Sequence, residues 1–126
     1  MQTFKKGERL TGDRLIEKLY EKGHSFVFHP LLVKWLPDQK GNAYPIRLVI
    51  SVSKRRVKKA VDRNRLKRQI REAWRKSKAD AYESLKKLDK RCLLMIIYRG
   101  ENKAEYKEIE SKIILILHRL VLENKT

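Results

Sequence analysis

Between Lys54 and Lys78 the chain carries 13 basic residues and only two acids, Asp62 and Glu72, so this stretch holds +11 of a net charge of +17. A run this charged can enter a folded domain only if its apolar residues gather on one side. Turned at about 100° per residue, Leu66, Ile70, Ala73 and Trp74 do fall on one helix face. Asn64, Lys67, Arg68, Arg71 and Arg75 gather on roughly the opposite side, while Arg63 and Arg65 point to either flank. The spacing predicts a helix from about Val57 to Leu88, broken near Ser77 to Ala81, that buries its apolar stripe against a sheet.

The rest of the chain supplies that sheet. Leu31 to Leu36 is short and largely apolar, and Pro37-Asp38 through Lys40-Gly41-Asn42 has turn chemistry. Ile46 to Ser53 then alternates, with Ile46, Leu48, Ile50 and Val52 on one face. These two runs are expected to pair as antiparallel strands, with a third strand near Ser25 to Phe28. Leu93 to Tyr98 is continuously apolar, the pattern of a buried strand. Because a helix stands between it and the Ile46 strand, a parallel pair is invited. Helical spacing recurs from Asp13 to Lys22 through Leu15, Ile16, Leu19 and Tyr20, with Thr11 or Asp13 as a cap and Gly23 at the end. It recurs again in Tyr106, Ile109, Ile113, Ile116, Leu117 and Leu120. The order α-β-β-β-α-β-α describes an α+β fold, a single domain over residues 1–126 with one sheet packed by helices.

A solvated helix face normally mixes signs, so that pairs four residues apart offset repulsion. The face holding Arg68 and Arg71 has almost no acids, and phosphates are the natural compensators for arginine's planar fork. The expected partner is nucleic acid. The segment upstream of the basic helix alternates like a strand, which argues against a helix-turn-helix. One cysteine excludes finger spacing, and no heptad follows to make a zipper. A sheet beside a basic helix suits RNA, where shape and stacking are read. A DNA-binding regulator stays open as a rival.

Other features set further expectations. Cys92 alone makes no disulfide framework, suits a reducing compartment and is read as a small core residue. Residues 1–9 have charge without an apolar core, unlike a signal peptide, and no run approaches the ~20 apolar residues of a membrane span. A soluble, cytoplasmic protein is expected. Asp13, Asp38, Asp62, Asp80 and Asp89 are scattered, and His24, His29 and His118 lack metal-ligand spacing, so no catalytic residue or dedicated metal site is expected. Trp74 and Tyr20 sit at helical spacing with Leu and Ile, so both are first of all packing residues.

The string from Ser53-Lys54-Arg55-Arg56 through Asp62-Arg63-Asn64-Arg65-Leu66-Lys67-Arg68 to Arg71-Glu72 resembles the signature of the bacterial ribonuclease P protein component. Its hallmark is Arg-Asn-Arg followed by Lys-Arg and Arg-Glu. Arg9-Leu10, the helix ending at Gly23, the strand from Arg47 to Lys54 and the segment from Leu93 to Arg99 are similar as well, so the likeness covers nearly the whole chain.

The resemblance implies a split β-α-β with a left-handed crossover, against the usual right-handed preference. It implies a small basic partner of a catalytic RNA that, with Mg²⁺, removes the 5′ leader of precursor tRNA. Catalysis would lie on the RNA and Mg²⁺ with the RNA and substrate; no obligate protein partner or membrane is implied. Carried over by position, Arg63, Asn64, Arg65, Lys67, Arg68 and Arg71 would contact RNA, with Lys54 and Arg55 at the strand-to-helix turn beside them. The family's leader cleft would use Tyr20, with Ile16 where Phe is frequent and Lys34 where an aromatic is usual. Trp35, one residue along the strand, would face the other side. The alternative is a structural RNA-binding protein, of ribosomal or chaperone type, without a role in cleavage.

Overall fold

The computed structural model describes residues 4–40 and 43–125. The turn expected at Gly41-Asn42 and the first three residues of the N-terminal reading lie outside the described residues. A 3-10 turn at Lys6–Glu8 precedes α1 (Asp13–Lys22), β1 (His24–Phe28), β2 (Leu31–Pro37), β3 (Ile46–Val52), α2 (Ala60–Ser77), α3 (Ala79–Lys87), β4 (Cys92–Tyr98) and α4 (Tyr106–Glu123). The α+β reading holds, and the expected break in the long helix is a single residue, Lys78, between α2 and α3. Helical hydrogen bonds run through it, from Lys78 N–H to Trp74 O and from Tyr82 N–H to Lys78 O.

The strand order is β1-β2-β4-β3. β1 and β2 form a hairpin across His29-Pro30, whose peptide bond is cis. β3 and β4 are parallel, as the intervening helix invites, with Ile46 opposite Cys92 and Val52 opposite Tyr98. The expected antiparallel pair of β2 with β3 is corrected: β4 lies between them and is the antiparallel neighbour of β2. The physical reason is in the side chains. β4 is apolar on both faces and takes the centre, whereas β2 and β3 alternate with Lys34, Arg47 and Ser51.

Both faces of the sheet are used. One row after another, such as Trp35–Leu94–Leu48 and Val33–Ile96–Ile50, faces α2, α3 and α4. Leu66, Ile70, Ala73 and Trp74 are buried there, as their spacing predicts, and α4 adds Ile109, Ile113, Ile116, Leu117 and Leu120. The other face meets α1 and the segment before it, where Leu19 packs with Leu10, Leu93 and Met95. Ile70→Ala is expected to cost about 2–5 kcal/mol by urea unfolding, because the side chain is fully enclosed; a cost under about 1 kcal/mol would contradict that burial.

Neither cap proposed for α1 is used: Gly12, at φ +103°, is the N-cap and makes no side-chain bond. Gly23 does end α1, but at φ −66°, so left-handed freedom is not why glycine stands there. A Cβ at Gly23 would lie 2.5 Å from Leu19 O and 3.2 Å from Trp35 N, so the close passage of helix end and β2 excludes any side chain.

Cys92 is buried as expected, and desolvation pushes its thiol up to about 12. The same residue unfolded titrates near ~8.5, so from there to about 12 the unfolded chain gives up a proton that the fold retains. Its contribution to stability is therefore intact below pH ~8.5 and declines as pH rises through that window. At pH 8 a thiol reagent is expected to label Cys92 only as fast as the domain opens. Labelling as fast as free cysteine would mean the sulfur is reachable in the native state.

Candidate nucleic-acid interface

The basic helix presents its charge as the wheel predicts. Asn64, Arg65, Arg68 and Arg71 are exposed, Lys67 and Arg75 half-buried, and the apolar stripe holds them away from the core. Both acids of the stretch are occupied by neighbours. Asp62 accepts from Arg65 at 2.9 Å, and Glu72 pairs with Arg75 and, at 3.9 Å, with Lys76. The Arg75 hydrogen bond holds the Glu72 carboxyl below its usual range. Among the described residues no acid pairs with Lys54, Arg55, Lys67, Arg68 or Arg71.

The eight basic-helix candidates therefore divide. Arg63 turns back, donating Nη1 to Val57 O at 3.0 Å and Lys58 O at 2.8 Å, so it fastens the segment leading into α2. Arg65 is held by Asp62. Lys54 and Arg55 stand exposed in the turn that leaves β3. That turn is fixed from both sides: Val57 N–H donates to Ser53 O, and Arg56 Nη1 donates to Arg99 O at 2.8 Å, just past β4. The result is an ordered cationic surface running from the turn along the outer face of α2. The unpaired N–H groups at the start of α2 add to its positive potential.

On the other side of the sheet, Ile16 and Tyr20 line one cleft, and Lys34, outside its lining, meets Tyr20. Lys34 Nζ donates to Tyr20 O at 2.7 Å and lies 4.7 Å from the centre of the Tyr20 ring. Half of the Tyr20 side is open to solvent, at 51% exposure. Because α1 covers only part of its sheet face, a cleft of about 350 Å³ remains beside it, lined by Ile16, Tyr20, Ser51, Met95 and Ile97 and by Asp13, Glu17 and Glu21. Trp35 faces the opposite side, as strand alternation predicts, and its indole N–H donates to Glu123 at 2.6 Å.

Sequence reasoning missed the sheet half of this cleft and its acids. Met95 is opposite Lys34, and Ser51 is opposite Ile97, so parity alone would have found these residues once the strand order was known. Asp13, Glu17 and Glu21 recur every four residues along the same helix as Ile16 and Tyr20, which was a legible signal. Arg56 was likewise passed over, because its bond to Arg99 O spans distant parts of the chain. Among the described residues no group of three His, Cys, Asp or Glu is placed to hold a metal ion, and no helix is long and apolar enough to cross a membrane.

Known proteins share this architecture. The fold matches the ribonuclease P protein of Staphylococcus aureus with a TM-score of 0.71 at 24% identity, over 90% of this chain and 94% of that one. It matches the ribonuclease P protein of Thermotoga maritima at 0.67 and 24%, over 89% and 96%. In sequence, a ribonuclease P protein component of Clostridium botulinum strain Langeland is 33% identical over 120 residues, 94% of this chain and 99% of that protein. One from Porphyromonas gingivalis strain ATCC 33277 is 38% identical over 73 residues, 58% of this chain and 53% of its own length, so the chain spans about half the length of that relative. The profile of the Ribonuclease P family runs from residue 4 to residue 121, taking in the cleft, the turn and the whole basic helix. By a family profile over nearly its whole length and by a relative matched end to end, the chain belongs to the ribonuclease P protein family.

Proposed function

We propose that this chain is the protein subunit of ribonuclease P, binding the catalytic RNA and the 5′ leader of precursor tRNA to promote removal of the leader. The observation that carries the reading is the row of cations without acid partners among the described residues, Lys54 and Arg55 in the turn and Lys67, Arg68 and Arg71 on α2, whose other side is locked into the core. Such a row is costly for an isolated protein and favourable against a phosphate backbone. Asn64 and Arg65 flank it, and Arg63 acts by fixing the turn that carries Lys54 and Arg55.

In this reading the cleft beside α1 takes the leader. Tyr20 and the apolar floor offer base contacts, while Lys34, already bonded to Tyr20 O, braces the tyrosine. The three carboxylates along α1 repel phosphates, so a strand would turn its bases toward α1 and its backbone toward the Lys54–Arg55 turn. Mg²⁺ belongs to the RNA and its substrate in this reading, and the hydrolytic step is assigned to the RNA.

The test adds the protein to a bacterial ribonuclease P RNA and a leader-bearing precursor tRNA at low Mg²⁺, beside a basic protein of matched charge. Cleavage at the mature 5′ end only with this protein and the RNA together is expected. No gain over the charge-matched control would leave a structural RNA-binding protein, and cleavage without the RNA would place the chemistry on the protein.

A further inference from the structure

A second cationic surface lies at the opposite end of the sheet from the Lys54–Arg55 turn. α3 ends in a left-handed turn: Asp89 has φ +55°, its N–H donates to Lys86 O, and Lys90 N–H reaches back to Leu85 O. This closure projects Lys90 and Arg91 from the start of β4, both exposed, and no acid among the described residues pairs with either. They rim a hollow of about 560 Å³ whose other walls include His24, Trp35 and Glu123. His24 lies against the Trp35 indole, ring centres 4.8 Å apart and planes tilted by 41°, with His24 itself open to solvent. Glu123 is anchored by Trp35 Nε1 and by Arg119 Nε, each at 2.6 Å.

These groups come from three parts of the fold. The cations stand where α3 gives way to β4, the aromatic rings belong to the β1–β2 hairpin, and a carboxylate and the C-terminal end of α4 complete the lining. A nucleotide has the same division, with an anionic phosphate, a flat base and amino or imino donors along the base edge. The C-terminal end of α4 disfavours phosphate on its side and favours the donors of a base edge, which fixes the orientation. A paired base has its edge occupied and cannot leave its stack to enter a hollow, so the fitting ligand is unpaired RNA.

We propose that the hollow between His24, Trp35, Lys90, Arg91 and Glu123 is a second RNA site, taking one unpaired nucleotide with its base on His24 and its phosphate on Lys90 and Arg91. The proposal rests on RNA being the partner of α2. β4 spans the distance between the two surfaces, about 20 Å at ~3.3 Å per residue, so one protein would hold two separate segments of RNA.

The experiment follows the two indole N–H resonances of the ¹⁵N-labelled protein, Trp74 in the core and Trp35 at the hollow. Pentaadenylate is expected to shift the Trp35 signal saturably, while inorganic phosphate at equal ionic strength leaves it in place. Arg68→Ala/Arg71→Ala should keep this shift and Lys90→Ala/Arg91→Ala should abolish it. The second variant should also lower the log–log salt slope for ribonuclease P RNA by about 0.7, the value for one single-strand phosphate. His24→Ala should weaken pentaadenylate about five-fold or more without changing that slope.

A Trp35 shift produced equally by phosphate would overturn the proposal, leaving an anion patch with no base site. An unmoved Trp35 signal with RNA affinity lost only in Arg68→Ala/Arg71→Ala would also overturn it and leave the reading of α2 standing. RNA affinity insensitive to both double variants would remove the reading of α2 and this one with it.

Discussion

Replacing Glu8 with Ala is expected to destabilise the domain by about 3–5 kcal/mol, more than any exposed charge change, because it strands a buried ammonium. Both Glu8 carboxylate oxygens accept from Lys78 Nζ, at 2.6 and 2.8 Å, and the two side chains are only 2% and 8% exposed. Lys78 is the residue joining α2 to α3, and its ammonium also lies 5.2 Å from the Tyr82 ring centre. The pair therefore pins the N-terminal 3-10 turn to the helix junction. Removing both partners together, as Glu8→Leu/Lys78→Met, should cost much less than Glu8→Ala, since an apolar pair leaves no uncompensated charge. Urea unfolding of the two variants beside the wild type decides this. A loss under about 1 kcal/mol in Glu8→Ala would mean that the Lys78 ammonium swings out to water.

Arg68→Ala/Arg71→Ala is expected to show the opposite signature, a large loss of RNA affinity in a domain of unchanged stability. Both side chains are exposed on the face away from Leu66 and Ile70, so the unfolding free energy should move by no more than about 0.5 kcal/mol. If the surface engages ~6 phosphates, the wild-type log–log salt slope is about −4 to −5, and losing two contacts reduces its magnitude by about 1.4–1.8. Filter binding across a salt series reads this directly. Parallel losses of melting temperature and affinity would show that these arginines support the fold.

What could be read before the structure depended on how local the signal was. Leu66, Ile70, Ala73 and Trp74 repeat within one helix, and all four are buried. The Leu93–Tyr98 run announces a buried strand and its parallel pairing with the Ile46 strand, but not its place beside β2, because adjacency in sequence suggests that Leu31–Leu36 pairs with Ile46–Ser53. Strand order is set by which strand can be apolar on both sides, a comparison across the whole chain. The same limit hid half the α1 cleft, since Met95 and Ile97 join Ile16 and Tyr20 only through that order. Charge on α2 was legible residue by residue. Its division into cations bound to Asp62, Glu72 or backbone carbonyls and cations left open was not, because side-chain rotamers decide it.

The central place of β4 bears on how the molecule comes into being during synthesis. It is the last strand to emerge and the one that touches both β2 and β3. Until it is made, β2 and β3 lack their common neighbour and the apolar stripe of α2 lacks the centre of the sheet that shelters it. Pairing across so long a stretch of chain is slow to nucleate. The ribosome therefore releases a polycation first and a shaped surface only later, in a cell crowded with RNA. Arrival of the seven residues of β4 is the moment at which diffuse charge acquires direction.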